Sequence, residues 1–117
     1  MQRTVNFMDQ QYIAVFDIGK THKKICIFDS NLEIVDKKSG RFEDHPEGEI
    51  RIEPIEEITD WFFTTLTMLS RRYNIAAVSV SAHGGTFVCM DNAGELSLPV
   101  ISYTSEPGEY FHAEFYS

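Results

Sequence analysis

Residues 14–29 read AVFDIGKTHKKICIFD, two short apolar runs on either side of a polar turn. Each run has the length and the apolar content of a buried strand. The turn is centred on Gly19 and holds one hydroxyl side chain among several basic ones. The pattern predicts two antiparallel strands joined by a turn with the chemistry of an anion site.

The flanking sequence extends this hairpin. Ser30-Asn31 indicates a tight turn, and the alternation that follows predicts a third strand. The first forty residues therefore predict three antiparallel strands. Residues 40–48 are predicted as a loop and residues 49–53 as a short edge segment. Residues 1–10 lack periodicity and are predicted to be a flexible leader, so the folded part is expected to cover residues 11–117.

Residues 54–72 are predicted to form a helix. Pro54 suits a first helical turn, and Glu56 and Glu57 suit the positive end of the helix dipole. Apolar residues then recur at helical spacing. Residues 75–81 follow as a predicted buried strand, so the helix is expected to connect two strands of one sheet along the chain.

The last third of the chain predicts two more strands and a second helix. The strands cover residues 86–90 and 97–102, with a turn at residues 91–94 between them. The second helix begins near residues 105–107. Its apolar face is still growing at Ser117, which predicts that the chain is part of a longer domain.

Composition excludes several classes of function. The formal net charge of −8 over 117 residues leaves no broad basic surface for nucleic acid, and an anionic membrane would repel it. Cys26 and Cys89 stand in apolar runs, which predicts buried reduced thiols and a cytoplasmic location. Residues 1–10 are too polar for a signal peptide, and no apolar stretch reaches membrane-spanning length. The histidines and cysteines form no zinc pattern.

The turn after Asp17 has the chemistry of a phosphate site. Gly19 allows the backbone to come close to a phosphate, and successive N–H groups there can form an anion-binding concavity. Thr21 can donate a hydrogen bond to a phosphate oxygen, and Asp17 can hold Mg2+ through water. The spacing is not that of a Walker loop, and an ordinary β-turn is the alternative interpretation.

Residues 14–29 resemble the opening hairpin of the FGGY carbohydrate kinases, of the actin–hexokinase–Hsp70 superfamily. That family opens with a strand, D-x-G-T-[TS], a second strand and then Asp. Here Lys20 stands where the family usually has Thr, and His22 and Lys23 stand where small residues are common. Residues 77–95 resemble the family's second paired-strand block, and residues 99–103 parallel its Pro-x-Ile-x-Trp segment.

The resemblance implies an α/β fold, a partial ribonuclease H-like (actin-like ATPase) lobe whose mixed sheet has three antiparallel first strands and flanking helices. It implies that the ATP phosphates and Mg2+ face Asp17, Gly19, Lys20, Thr21, His22 and Lys23, with Asp17 holding the metal through water. It implies that the sugar lies near His83, Gly84, Gly85 and Thr86. The family's catalytic base, an Asp, comes later in its longer chains, so no catalytic residue is assigned here.

The function implied is that of the amino-terminal part of an ATP-dependent sugar kinase, with ATP and a small sugar as its ligands. The chain alone is expected to be inactive and to self-associate through exposed apolar surface. One alternative is a nucleotide-binding member of the superfamily without sugar chemistry, such as an acetate-kinase-like or regulatory protein. Another is a small binding module without enzymatic activity, in which these turns bind neither phosphate nor sugar.

Overall fold

The computed structural model describes residues 9–117, so most of the predicted leader lies outside the described residues. The chain divides into two compact units. The first comprises the described residues up to Phe42 together with Glu56–His83, and the second comprises Glu43–Ile55 together with Gly84–Ser117. In chain order the elements are β1 (Tyr12–Ile18), β2 (His22–Phe28), β3 (Ile34–Arg41), β4 (His45–Glu47), β5 (Ile50–Ile52), α1 (Ile55–Ser70), β6 (Ile75–Ala82) and α2 (Glu109–Phe115).

The first unit is built on a four-stranded mixed sheet with the strand order β3-β2-β1-β6. β1 and β2 are antiparallel, with Phe16 opposite Ile25 and Asp17 opposite Lys24. β2 and β3 are also antiparallel, whereas β6 runs parallel to β1. The three antiparallel strands predicted from the sequence are therefore confirmed. The parallel strand follows α1, because a parallel partner needs a crossover connection.

The core of this unit lies between one face of the sheet and α1. Side chains alternate across a strand, so β1 and β2 each give every second residue to that face. Phe16 is central, with its ring stacked on Phe62 of α1 at 4.3 Å between centroids. The buried cluster consists of Tyr12, Ala14, Phe16, Ile25, Ile27, Ile58, Leu69 and Tyr73. The predicted helix over residues 54–72 is confirmed, with bounds Ile55–Ser70.

The second unit contains a small hairpin, β4 with β5, and the segments that follow β6. Arg51 forms an ion pair with Asp44 at 2.8 Å, and the Thr104 hydroxyl donates a hydrogen bond to the other carboxylate oxygen of Asp44 at 3.0 Å. The predicted turn at residues 91–94 is present, since Asp91 Oδ1 accepts hydrogen bonds from the N–H groups of Ala93 and Glu95. The second helix also forms.

Several predictions for the strands are wrong. Residues 86–90 and 97–102 form no strands, and only isolated bridges join Met90 to Leu96 and Ile52 to Ile101. Residues 45–47, predicted as loop, form β4 because they pair with β5.

Two burial predictions are also wrong. β6 is present but exposed along nearly its whole length, because it is the last strand of the described sheet. Cys89 is exposed, since the segment around it joins no sheet, while Cys26 is half-buried in β2. Among residues 9–117, no helix has the length and apolar content needed to cross a membrane.

Candidate functional site

The turn between β1 and β2 is held closed by backbone contacts. The N–H of Gly19 donates a hydrogen bond to the carbonyl oxygen of His22 at 3.1 Å. A Cβ atom on Gly19 would lie only 2.6 Å from that same oxygen, so a side chain at this position would open the turn. The carbonyl of Thr21 accepts a hydrogen bond from the N–H of Phe42 at 2.8 Å, which attaches the turn to the end of β3. Gly19 is therefore required because the turn leaves no room for a side chain.

Asp17 and Lys24 form the charged pair of this hairpin. They are opposite each other in the β1–β2 register, and Lys24 Nζ lies 3.8 Å from Asp17 Oδ2. Their side chains are 49% and 42% exposed, respectively, so both stay accessible to a ligand. By strand alternation they lie on the face of the sheet away from Phe16 and Ile25.

Lys24 was not predicted as a site residue. The signal for it was present in the sequence, since two strands joined by a short turn place opposite each other those residues that are equidistant from the turn.

Lys23 lies on the other face, with the core residues. Its side chain is buried, at 1% exposure, and its Nζ donates a hydrogen bond to the carbonyl oxygen of Lys20 at 2.6 Å. The residues predicted to face phosphate are thus divided between two faces of the hairpin. Asp17 is on the open face, and the Lys23 ammonium group contacts the backbone of the turn from within.

The end of β6 lies beside this turn. Asp17 is opposite Ser81 in the parallel β1–β6 register, and the N–H of His83 donates a hydrogen bond to the carbonyl of Ile18 at 3.0 Å. The structure therefore brings His83 and the Asp17 turn to one edge of the sheet. In open α/β sheets, ligands bind at the carboxyl ends of parallel strands, which is where both residues stand.

The other residues predicted to face the sugar belong to the second unit. Gly85 has φ +87°, a backbone conformation that favours glycine, and a Cβ there would touch Tyr103. Thr86 is half-buried, and its Oγ1 is buried without a hydrogen-bond partner in the described part of the chain. A buried hydroxyl without a partner is uncommon in folded proteins.

The donor set of the turn fits Mg2+ held together with phosphate. No group of three or more His, Cys, Asp or Glu side chains that could hold a metal ion occurs within residues 9–117. Asp17 supplies one accessible carboxylate. Mg2+ commonly keeps several waters and binds through one or two carboxylates plus the phosphates of a substrate, so a single carboxylate beside an anion-binding turn suits it.

Sequence comparisons find no relative: no family model and no curated protein matches the chain. Solved structures do match it, and they include several carbohydrate kinases and a glycerol kinase. A carbohydrate kinase from Novosphingobium aromaticivorans is 19% identical with a TM-score of 0.80, covering 89% of this chain and 22% of its own. A gluconate kinase from Lactobacillus acidophilus is 22% identical with a TM-score of 0.70, covering 82% and 20%. The glycerol kinase of Plasmodium falciparum, solved with ADP, is 18% identical with a TM-score of 0.69, covering 91% and 23%.

The chain therefore spans about a fifth of the length of these structures. At this identity the likeness shows the fold. The fold is a mixed α/β lobe with a flanking helix that is shared with these kinase structures, as the resemblance implied.

Proposed function

We propose that this chain is the amino-terminal part of an ATP-dependent carbohydrate kinase and carries its phosphate-facing turn. The observation that supports this most is the pair of Asp17 and Lys24 beside the closed turn at Gly19. An accessible carboxylate, an accessible cation and a glycine turn stand together at the edge of the sheet where ligands bind. The fold shared with sugar kinases, one of them solved with ADP, supports the nucleotide as the ligand.

Each group of the turn has a distinct part in this proposal. Thr21 donates a hydrogen bond to a phosphate oxygen, and Lys20 and His22 supply positive charge. The carboxylate of Asp17 would repel phosphate directly and instead holds the waters of Mg2+. Lys24 balances the charge of Asp17 while no ligand is bound. When bound, Mg2+ neutralises the negative charge that builds up during phosphoryl transfer.

The sugar side of the proposal rests on the turn after β6. His83 stands at the sheet edge, and Gly84 and Gly85 allow close approach of the backbone. The Thr86 hydroxyl has no hydrogen-bond partner among residues 9–117, so a bond to a sugar hydroxyl would cost no contact within that part of the protein. The reaction would transfer the γ-phosphoryl group of ATP to a sugar hydroxyl. The general base that accepts the hydroxyl proton would come from another part of the protein.

An amide NMR titration with Mg-ATP tests the proposal. We expect shifts concentrated in residues 17–24, and we expect Asp17→Asn to remove most of the Mg2+ dependence of binding. Asp60→Asn is the matched control, because Asp60 is an exposed carboxylate on α1. A well-dispersed spectrum that is unchanged at millimolar Mg-ATP would overturn the proposal.

A second titration separates sugar kinases from other members of the superfamily. Adding a panel of sugars to the same sample should shift the amides of residues 83–86 if this turn faces a sugar. Shifts with nucleotide but with none of the sugars would favour a nucleotide-binding protein without sugar chemistry.

A further inference from the structure

Lys23 is a buried cation that the proposed chemistry does not use. It lies on β2 opposite Ile18 of β1 and Gly40 of β3. The space above Gly40 is filled by rings, since a Cβ there would meet Phe42 at 2.7 Å and Trp61 at 2.9 Å. Lys23 is thus enclosed on the helix-facing side of the sheet and is 1% exposed.

Burial of an ammonium group is costly unless hydrogen bonds compensate for the lost hydration. The short contact from Lys23 Nζ to the carbonyl of Lys20, 2.6 Å, is one such compensation. A hydrogen bond from a charged donor is stronger than one between neutral groups. The contact therefore fixes the backbone of Lys20 more firmly than an ordinary turn would.

We infer that Lys23 is a positioning residue for phosphate binding, which acts by holding the Lys20 carbonyl from inside the protein. The inference rests on the proposed function of the turn. The closing bond between Gly19 and His22 fixes the two ends of the turn, and the Lys23 contact fixes its middle. Lys20 and Thr21 are thereby held in one backbone conformation before a ligand arrives. A site ordered in advance binds more tightly, because less conformational entropy is lost on binding.

Lys23→Met tests this role, since methionine keeps an unbranched chain of similar length and removes the ammonium group. Lys37→Met is the matched control, an exposed lysine of β3 whose loss changes the net charge equally. We expect Lys23→Met to weaken Mg-ATP binding about tenfold and to speed hydrogen exchange at the Lys20 and Thr21 amides by a similar factor. Amide shifts elsewhere in the first unit should stay those of the wild type. Lys37→Met should leave both quantities unchanged.

A measurement on the wild-type chain keeps the inference testable if Lys23→Met does not fold. The Lys23 ammonium protons should exchange slowly with water and should be visible by 15N NMR both before and after Mg-ATP is added. If the Lys23 ammonium group binds the phosphate when Mg-ATP is added, Lys23 is a direct ligand and the positioning role is overturned. An ammonium that exchanges as fast as those of exposed lysines would overturn it too.

The two proposals fail in different ways. If the wild-type chain does not bind Mg-ATP, the proposed function is overturned, and with it the contribution of Lys23 to phosphate binding. A wild-type chain that binds Mg-ATP, together with a Lys23→Met chain that binds equally well, overturns the role of Lys23 alone.

Discussion

The Tyr73 hydroxyl donates a hydrogen bond to Asp36 Oδ2 at 3.0 Å, joining the segment after α1 to the edge strand β3. Both groups are largely buried: Tyr73 is 9% exposed and the Asp36 side chain 13%. The same carboxylate lies 3.3 Å from Lys38 Nζ and accepts a hydrogen bond from the N–H of Lys37. The contact therefore links the segment between α1 and β6 to β3, the outer strand on the other side of the sheet, through a charged acceptor.

Tyr73→Phe should destabilise the first unit by about 1–2 kcal/mol, because it leaves a largely buried carboxylate with one donor fewer. Urea unfolding followed by the fluorescence of Trp61 measures this, since Trp61 is the single tryptophan and packs on Phe16 of the core. Tyr110→Phe is the matched control, because Tyr110 is 82% exposed, and should change stability by less than about 0.5 kcal/mol. A double-mutant cycle with Asp36→Asn that gives no coupling energy would contradict the prediction.

The same pair should shape the pH dependence of stability. Burial alone would raise the pKa of Asp36, but hydrogen bonds from Tyr73, Lys38 and Lys37 outweigh it and hold this pKa below 3.8. A lowered pKa in the folded state contributes stability above pH 3.8 that is lost as pH falls through the folded value. Burial, followed by the hydrogen bond to Asp36, raises the pKa of Tyr73 above 10.0, so stability should also fall as pH rises past 10.0.

Variants can separate these two limbs of the pH profile. Asp36→Asn should flatten the loss of stability on the acid side, and Tyr73→Phe should remove the loss on the alkaline side. Urea midpoints measured from pH 3 to pH 11 provide the test. Equal acid limbs in the wild type and Asp36→Asn would show that other carboxylates dominate acid unfolding.

Gly19→Ala should damage both the fold and the proposed site. The new methyl group would lie 2.6 Å from the backbone oxygen of His22, which cannot move without opening the turn. We expect a loss of about 1–3 kcal/mol in stability and the loss of detectable Mg-ATP binding. Gly108→Ala is the control, since nothing lies within 4 Å of a Cβ there and its φ of −58° suits alanine. A Gly19→Ala chain with wild-type stability and nucleotide affinity would refute the prediction.

Local sequence pattern was sufficient to predict much of this fold. The spacing of apolar residues and the charges near its ends predict α1. Two apolar runs around a turn predict β1 and β2. Each of these signals lies within a short stretch of sequence. β4 was missed because its strand character comes only from pairing with β5, and Pro46 argues against a strand locally. The segment at residues 86–90 has the apolar content of a strand, but within residues 9–117 it joins no sheet.

The sequence predicted where the candidate site residues lie on the fold better than it predicted the surroundings of their side chains. Asp17 and His83 meet at one sheet edge because parallel strands end together, which the order of elements implies. The burial of Lys23 was missed, since lysine is normally assigned to the surface. Period-two alternation with Ile25 and Ile27 nevertheless places Lys23 on the core face. The contact between Asp36 and Tyr73 spans 37 residues and has no local signal.

Thr86→Val should stabilise the second unit by about 1 kcal/mol, because it removes a buried hydroxyl that has no partner in the described residues and keeps the branched shape. Thr104→Val is the matched control with the opposite sign, since the Thr104 hydroxyl donates to Asp44 and its loss should destabilise. Hydrogen exchange of amides in the second unit measures both locally. If Thr86 contacts a sugar, the more stable variant should also lose the sugar-induced shifts at residues 83–86. A destabilised Thr86→Val chain would mean that the hydroxyl has a structural role.

The two outer strands of the sheet differ in a way that predicts how the chain associates. β3 carries charged residues along its length, whereas β6 reads IAAVSVSA and exposes Val78 and Val80 at 47% and 59%. An uncharged, exposed edge strand pairs readily with a second copy, and charge on an edge prevents this. The wild-type chain should therefore elute as dimers or larger species as its concentration rises.

Val80→Lys should weaken this association about tenfold or more, because a charge on each edge would face the other copy. Val35→Lys is the matched control, a valine 43% exposed on the already charged strand β3, and should leave the association unchanged. Size-exclusion chromatography with light scattering over a hundredfold concentration range distinguishes the variants. A wild-type chain that stays monomeric throughout would refute self-association. Equal weakening by both lysines would assign it to a general change in charge, with no special part for the β6 edge.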